Sequence, residues 1–215
     1  MALKKIDIGA ELERGWILFK PNMSALIVAG VIASLVSLIT VGILAGPMTA
    51  GMFLVVRRFL QNDPVKPQAG DVFKGLDFFV QALILVVICL VAASLLAMVP
   101  VLGQIVGLLV GAVMMWSVMF VTYQKLTAVD ALKKLFELLK SGEFTLPFVF
   151  AVLVNLISGL GAIACCVGVF FTIPLAYCMM ACCYQTLFEQ EAGGPVDAEI
   201  VPPPPPPEPP ADLRL

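Results

Sequence analysis

The chain has 215 residues, 60% hydrophobic and only 13% charged, with a formal net charge of -2 and a mean hydropathy of +1.02. A soluble domain carries about 45–50% apolar and about 25% charged residues, so the composition excludes a water-soluble globular protein and indicates an integral membrane protein. The near-neutral balance gives no ground for nucleic-acid binding, and no dense basic run marks a polybasic lipid-binding patch.

The first segment, residues 1–22, is long and mixed in charge, and the apolar run after it exceeds a secretory h-region, so it is expected to be retained. Within it Ile8, Leu12, Trp16 and Phe19 make an apolar helical face, with Trp16 suited to the headgroup level. Residues 23–56 are uncharged, too long for one crossing and near the minimum for two. A single crossing would put Arg57 and Arg58 opposite Lys4, Lys5, Arg14 and Lys20; a turn at GILAGP, Gly42 to Pro47, keeps them together. Spans are therefore expected at about 23–43 and 46–60.

Asp71 is expected to cap a short amphipathic helix through Val72, Phe73, Leu76 and Phe79. The uncharged residues 78–124 then supply spans at about 78–99 and 103–124, turning near Pro100. Leu132, Leu135, Phe136 and Leu139 fall at i, i+3, i+4 and i+7 with Lys133, Lys134, Glu137 and Lys140 away from them, which predicts an interfacial helix over about 128–141. Spans at about 144–165 and 168–188 follow, turning at Cys165 to Gly168, with Pro47 and Pro174 expected to start or kink the second and sixth spans.

The fold class expected is thus all-α: a polytopic membrane protein with six transmembrane helices as three hairpins, each preceded by an interfacial amphipathic stretch. Every one of the 13 basic and 15 acidic residues then lies on one side, cytoplasmic by the positive-inside rule, with both termini there and short uncharged turns opposite. Asp7, Asp71 and Asp130 open the three units and Gln61, Gln124 and Gln185 close the hairpins; TYQKL and CYQTL end the second and third. This spacing of about 60 residues hints at a threefold repeat.

The membrane domain, 23–190, is followed by a tail, 191–215, expected to be disordered, whose run Pro202–Pro207 favours an extended polyproline II rod. Two readings stand for it: a stiff spacer, and a docking peptide for an aromatic-lined groove in a cytoplasmic partner.

Residues for chemistry are few. Histidine is absent, and the long uncharged stretches carry no ionisable group of the kind that ion-coupled transporters place at membrane depth. Glu11 with Glu13, and Glu189 with Glu191, are i, i+2 pairs pointing to different helix faces and read as solvated. The six cysteines, Cys89, Cys165, Cys166, Cys178, Cys182 and Cys183, form no CxxC. They read as small apolar packing residues, with a soft-metal site at Cys178 and Cys182 as the alternative. No catalytic, cofactor-binding or metal residue is assigned, and no cofactor is expected.

Asn155, one turn before Ser158, is the polar group at membrane depth that must find a partner, as an interhelical hydrogen bond or as a substrate contact. Ser34, Ser37, Thr40, Ser94, Ser117 and Thr172 are expected to bond their own helix backbones. Gly103, Gly107 and Gly111, and Ala25, Ala29 and Ala33, form small-xxx-small stripes expected to pack helices closely, within one chain or between chains of a homo-oligomer.

With the hairpins and the phrases GILAGPMTAG and FTIPLAYCMM in view, the chain resembles a broad group of uncharacterised bacterial multi-span membrane proteins over about residues 8–190. These are similar to the membrane domain attached to some glycerophosphodiester phosphodiesterases. The resemblance implies a multi-span helical domain without catalytic residues of its own; the phosphodiesterase domain is absent, and the proline-rich tail has no expected counterpart. The function expected is a non-enzymatic scaffold or lipid-interacting module of the bacterial inner membrane. Its expected partners are membrane lipids and a cytoplasmic protein taking the tail, with no role for nucleic acid. The alternative is a permease, channel or lipid transporter working through uncharged polar groups.

Overall fold

Asp7 starts the first helix: its carboxylate accepts from the Gly9 and Ala10 amides at 2.9 and 3.4 Å, satisfying orphan donors of the first turn. In the computed structural model, which describes residues 6–61, 63, 66–96, 100–164 and 166–189, every regular element is a helix. The tail at 191–215 and Cys165 lie outside the described residues.

Helix α1, Ile8–Ile39, joins the expected amphipathic segment and first span in one 32-residue rod with Pro21 inside it. A tight turn, with Val41 and Gly42 at φ of 52° and 83°, reverses the chain. Thr40 holds this turn by donating to the Val36 carbonyl at 2.8 Å and accepting from the Leu44 amide at 3.3 Å. Helix α2, Ala45–Leu60, carries Pro47 in its first turn, where proline is tolerated, and Arg57 and Arg58 in its last.

The second unit departs from the expected α-helical stripe. Residues Ala69–Phe78 form a 3₁₀ helix whose N-cap is Gln68, with Asp71 accepting from the Gln68 amide at 3.0 Å. Three residues per turn align Ala69, Val72, Gly75 and Phe78 on one face. Val72 and Gly75 are buried, while Phe73 and Leu76 are exposed. The period differs because the contact partner is a backbone. A Cβ on Gly51 would fall on the Val72 carbonyl and one on Gly75 on the Pro47 carbonyl; one on Gly46 would lie 2.6 Å from the Ala82 oxygen. Glycine lets α2 lie against this segment with no side chain between them.

Helix α3, Phe79–Leu96, continues from the 3₁₀ segment, and α4, Pro100–Gln124, returns. Thr127 caps α5, Ala128–Lys140, by accepting from the Asp130 amide at 3.2 Å, and Gln81 accepts from the Ala128 amide at 2.8 Å, tying α5 to α3. Gly142, at φ 78°, ends α5 in the left-handed conformation that favours glycine. The described part of α6, Thr145–Ala164, leaves at 116° to α5. Helix α7, Cys166–Tyr184, contains Pro174 and widens into a π turn over Gln185–Glu189.

Helices α1, α2, α3, α4, α6 and α7 are successive neighbours in a closed ring, and α2 also touches α4 and α7 across it. The second helices of the three hairpins thus form the inside. Buried Phe53, Trp116, Phe120 and Tyr184 lie on α2, α4 and α7, whereas α3 exposes Val80, Val87 and Leu90 outward. In aqueous terms this surface is inverted, as lipid contact requires. Among the described residues four helices are long and apolar enough to cross a membrane, or five if the bent α5–α6 pair counts as one span. The six-span count expected from the sequence is therefore matched here only as a helical, membrane-compatible fold. Helix α2, at 16 residues, is shorter than each of these four.

Candidate functional site

The polar groups of the bundle gather where α2, α4 and α7 end. Tyr123 on α4 donates its hydroxyl to the Phe53 carbonyl on α2 at 2.9 Å, and the Tyr123 and Tyr184 rings meet edge to face at 4.8 Å. Gln124 donates to the Tyr184 hydroxyl at 2.7 Å, so the Tyr-Gln pairs that recur in TYQKL and CYQTL touch each other. Arg57 stacks over the Tyr123 ring at 4.6 Å and pairs with Glu189 at 2.7 Å, while its Nε has no partner among the described residues.

Beside this lies a second charge pair that the sequence reading misses. Glu11, read there as part of a solvated face, is 3% exposed, whereas Glu13 is exposed. The cause is Gly15: a Cβ there would lie 2.8 Å from the Met179 Cα, so α1 runs directly on α7. One turn earlier the same face carries Glu11 to the end of α7. It accepts from Thr186 at 2.7 Å and pairs with Arg14 at 3.3 Å, and its second oxygen has no partner among the described residues. Arg14 also reaches the Gln185 oxygen at 3.4 Å. Glu189 likewise is not a solvated carboxylate, since Arg57 holds it. The available signal was the apolar period itself: Phe19, Gly15 and Glu11 lie four residues apart, the spacing of a single buried helix face.

Lys134 completes the cluster from α5. Its ammonium donates to the Gln124 oxygen at 2.5 Å and lies over the Phe120 and Phe188 rings at 5.4 and 5.9 Å. Partial burial pushes its pKa below the usual lysine value.

The intramembrane candidates sit apart from this cluster. Asn155 donates to the Ala151 carbonyl of its own helix at 2.8 Å and to the Met115 sulfur on α4 at 3.5 Å; Ser158 donates to the Val154 carbonyl at 3.0 Å. A Cβ on Gly111 would lie 2.9 Å from the Asn155 oxygen, so α4 and α6 approach there. Gly107 is exposed and a Cβ on it would meet nothing within 4 Å. Gly103 is half-buried, as is Ala25. Ala29 and Ala33 pack with Met48 and Met52 of α2 and with Val72.

Ser37, Thr40, Ser94 and Thr172 donate to their own helices as expected. Ser117 does not: its buried hydroxyl, like the Trp116 indole nitrogen, has no partner among the described residues. Cys89, Cys178, Cys182 and Cys183 are buried free thiols. Among the described residues no group of three or more potential ligands is placed to hold a metal ion.

Clefts among the described residues lie at two places relevant to these groups. One of about 150 Å³ lies between α1, α2 and α7, where Tyr177 and Thr49 face each other at 3.3 Å. The other, about 450 Å³, opens at the α5–α6 elbow and is lined by Lys134, Glu137, Leu138, Ser141 and Glu143. Neither cleft includes Asn155 in its lining. Comparisons with protein-family models, with curated proteins and with solved structures found no match to this chain.

Proposed function

We propose that the protein is a six-span module of the bacterial inner membrane that is not an enzyme, and that it serves as a scaffold or lipid-interacting element with both termini cytoplasmic. The observation that carries this reading is the distribution of exposed apolar side chains on the three interfacial segments. Trp16 on α1, Phe73 and Leu76 on the 3₁₀ helix, and Val129 and Phe136 on α5 are all exposed. Exposed lysines stand near them: Lys20, Lys74, Lys133 and Lys140. An aromatic or aliphatic side chain next to a long cation is how a segment anchors at the headgroup level. The charges inside the bundle are paired, Arg57 with Glu189 and Arg14 with Glu11, which supports a structural polar cluster over a reacting one. The resemblance to membrane domains without catalytic residues points the same way. In this reading the proline-rich tail presents a docking peptide to a cytoplasmic protein, and a second copy of the chain is a further partner.

The alternative, a permease or channel, would need a polar route through the ring, and the cleft that enters the membrane-depth region is small and uncharged. Purified protein in liposomes is therefore expected to move neither solutes nor lipids above the protein-free background. Transport at enzyme-like rates, stopped by Asn155→Ala, would overturn the scaffold reading. Topology is tested in intact cells. A membrane-impermeant thiol reagent should reach Cys165 or Cys166 only from outside and leave the buried cysteines unlabelled. A reporter fused after Arg214 should read cytoplasmic, and an external C-terminus would sink the six-span arrangement.

A further inference from the structure

We propose that the cleft between α1, α2 and α7 binds the head ring of a lipid-soluble quinone, with a ring carbonyl accepting from the hydroxyls of Ser34 and Tyr177. Binding there requires α1 to cross the membrane but does not depend on the scaffold reading. One hydroxyl in this cleft lacks a partner. Ser34, expected to bond its own helix, makes no hydrogen bond among the described residues, whereas Ser37, one turn on in the same wall, donates to the Ala33 carbonyl at 2.7 Å. Tyr177 donates to Thr49 at 3.3 Å, long for a hydroxyl pair, and Thr49 itself donates to the Ala45 carbonyl at 2.8 Å. The cleft therefore offers two donors that an incoming acceptor can take, and no charged side chain lines it.

Size and depth narrow the ligand. A cavity of about 150 Å³ is the size that holds a single benzene ring. Ser34 precedes the turn at Thr40 by about 9 Å along α1, which places it inside the hydrocarbon and below the level of phospholipid ester groups. An acyl chain would fill the space but leave both hydroxyls facing hydrocarbon, where an unpaired polar group is costly. A quinone carries an uncharged carbonyl to that depth and satisfies them. Met48 and Met52 line the α2 wall, and thioethers pack well on flat π rings. The Tyr177 ring is held edge-on against Phe53 at 4.9 Å, which positions its hydroxyl. Leu35 and Leu38, adjacent to Ser34 and Ser37, face outward, so a tail on the ring leaves directly into lipid.

The test uses full-length protein in phosphatidylcholine nanodiscs, titrated with decylplastoquinone and with decylbenzene, whose ring has no oxygen, and bound ligand is measured against protein-free discs. Decylplastoquinone should saturate at one per chain and bind about tenfold tighter than decylbenzene, the scale of one hydrogen bond. Ser34→Ala and Tyr177→Phe should each lower quinone affinity about fivefold to tenfold and leave decylbenzene binding unchanged, while Ser37→Ala keeps the preference. The Ser34 hydroxyl holds no other group in place, so Ser34→Ala should melt as the wild type does, and it decides the question if Tyr177→Phe misfolds. Equal binding of the two probes, no saturable binding, or quinone binding that neither variant alters would each overturn the assignment. So would a copurifying phospholipid that Ser34→Ala releases, which would give the cleft to an ester carbonyl. None of these outcomes bears on the scaffold reading, whose own test is transport in liposomes.

Discussion

Gly51→Ala and Gly75→Ala are each expected to prevent recovery of the folded bundle, with a loss of more than about 4 kcal/mol, well beyond an ordinary single substitution. A methyl at either position falls on main-chain atoms: the Val72 carbonyl for Gly51, the Pro47 carbonyl and Gly51 backbone for Gly75. Backbone within two packed helices cannot rotate away as a side chain would, so the contact must open along its length. Opening it exposes Val72, Met48 and Met52, which are buried together with Ala29 and Ala33 of α1. Helix α2 lies inside the ring and touches both α4 and α7, so the damage should spread to the whole bundle. The measurement is the monodisperse fraction in mild detergent together with the far-ultraviolet dichroism melting curve. The control is Gly107→Ala, whose Cβ would meet nothing within 4 Å. It should be neutral or gain up to about 1 kcal/mol from better helix propensity. Wild-type melting of the Gly51 and Gly75 variants would show that the α2 contact is looser than described.

That contrast marks what the sequence makes legible. Apolar runs, charge placement and the tight turn at Gly42 identify a helical hairpin protein, because hydrocarbon contact and backbone satisfaction leave few alternatives. The small-xxx-small rule finds Ala29 and Ala33, whose partner is an ordinary α-helix. It cannot find Gly51 and Gly75, because Gly51 meets the backbone of a 3₁₀ helix and Gly75 stands alone in DVFKGLDFF. Gly107 follows the four-residue rule and yet a Cβ on it would meet no neighbour among the described residues, since period alone does not say which face a lipid-exposed helix turns inward.

The candidate site was legible in fragments. The recurring Tyr-Gln of TYQKL and CYQTL, noted as a sign of repetition, is where α4 and α7 hydrogen-bond to each other through Gln124 and Tyr184. Glu11 was not legible as a buried group. Its neighbours Asp7, Glu13 and Arg14 make the segment look solvated, and only the close approach of Gly15 to Met179 places it against α7. Pairing across 175 positions, as between Glu11 and Thr186, is a property of the ring and of no local pattern.

Arg57→Ala is the second large effect, an expected loss of about 2–3 kcal/mol, because a half-buried pair and a stacked aromatic contact are lost together. Three contacts go at once: the 2.7 Å pair with Glu189, the stack on Tyr123 at 4.6 Å, and the packing of the guanidinium stem. Tyr123 is itself bonded to the Phe53 carbonyl, one turn before Arg57 on the same helix, so the loosened ring should weaken the α2–α4 contact as well. Arg57→Lys should recover less than half, since a compact ammonium cannot lie flat on the ring and meet the carboxylate together. Arg58→Ala is the comparison. Arg58 pairs with Asp63 and Asp71 at 2.9 and 2.8 Å and joins a loop to the surface of the 3₁₀ helix, where such pairs contribute at most about 1 kcal/mol each and weaken in salt. The Arg57 effect should persist in high salt, because its Nε is enclosed. A double-mutant cycle with Glu189→Gln should give a coupling of at least about 1 kcal/mol. Equal, salt-sensitive losses for Arg57 and Arg58 would mean that the pair is only a surface bridge. A large coupling would make the terminal turn at Gln185–Glu189 part of the folded bundle, so the chain from residue 190 onward leaves from a fixed point on the face that carries the interfacial helices.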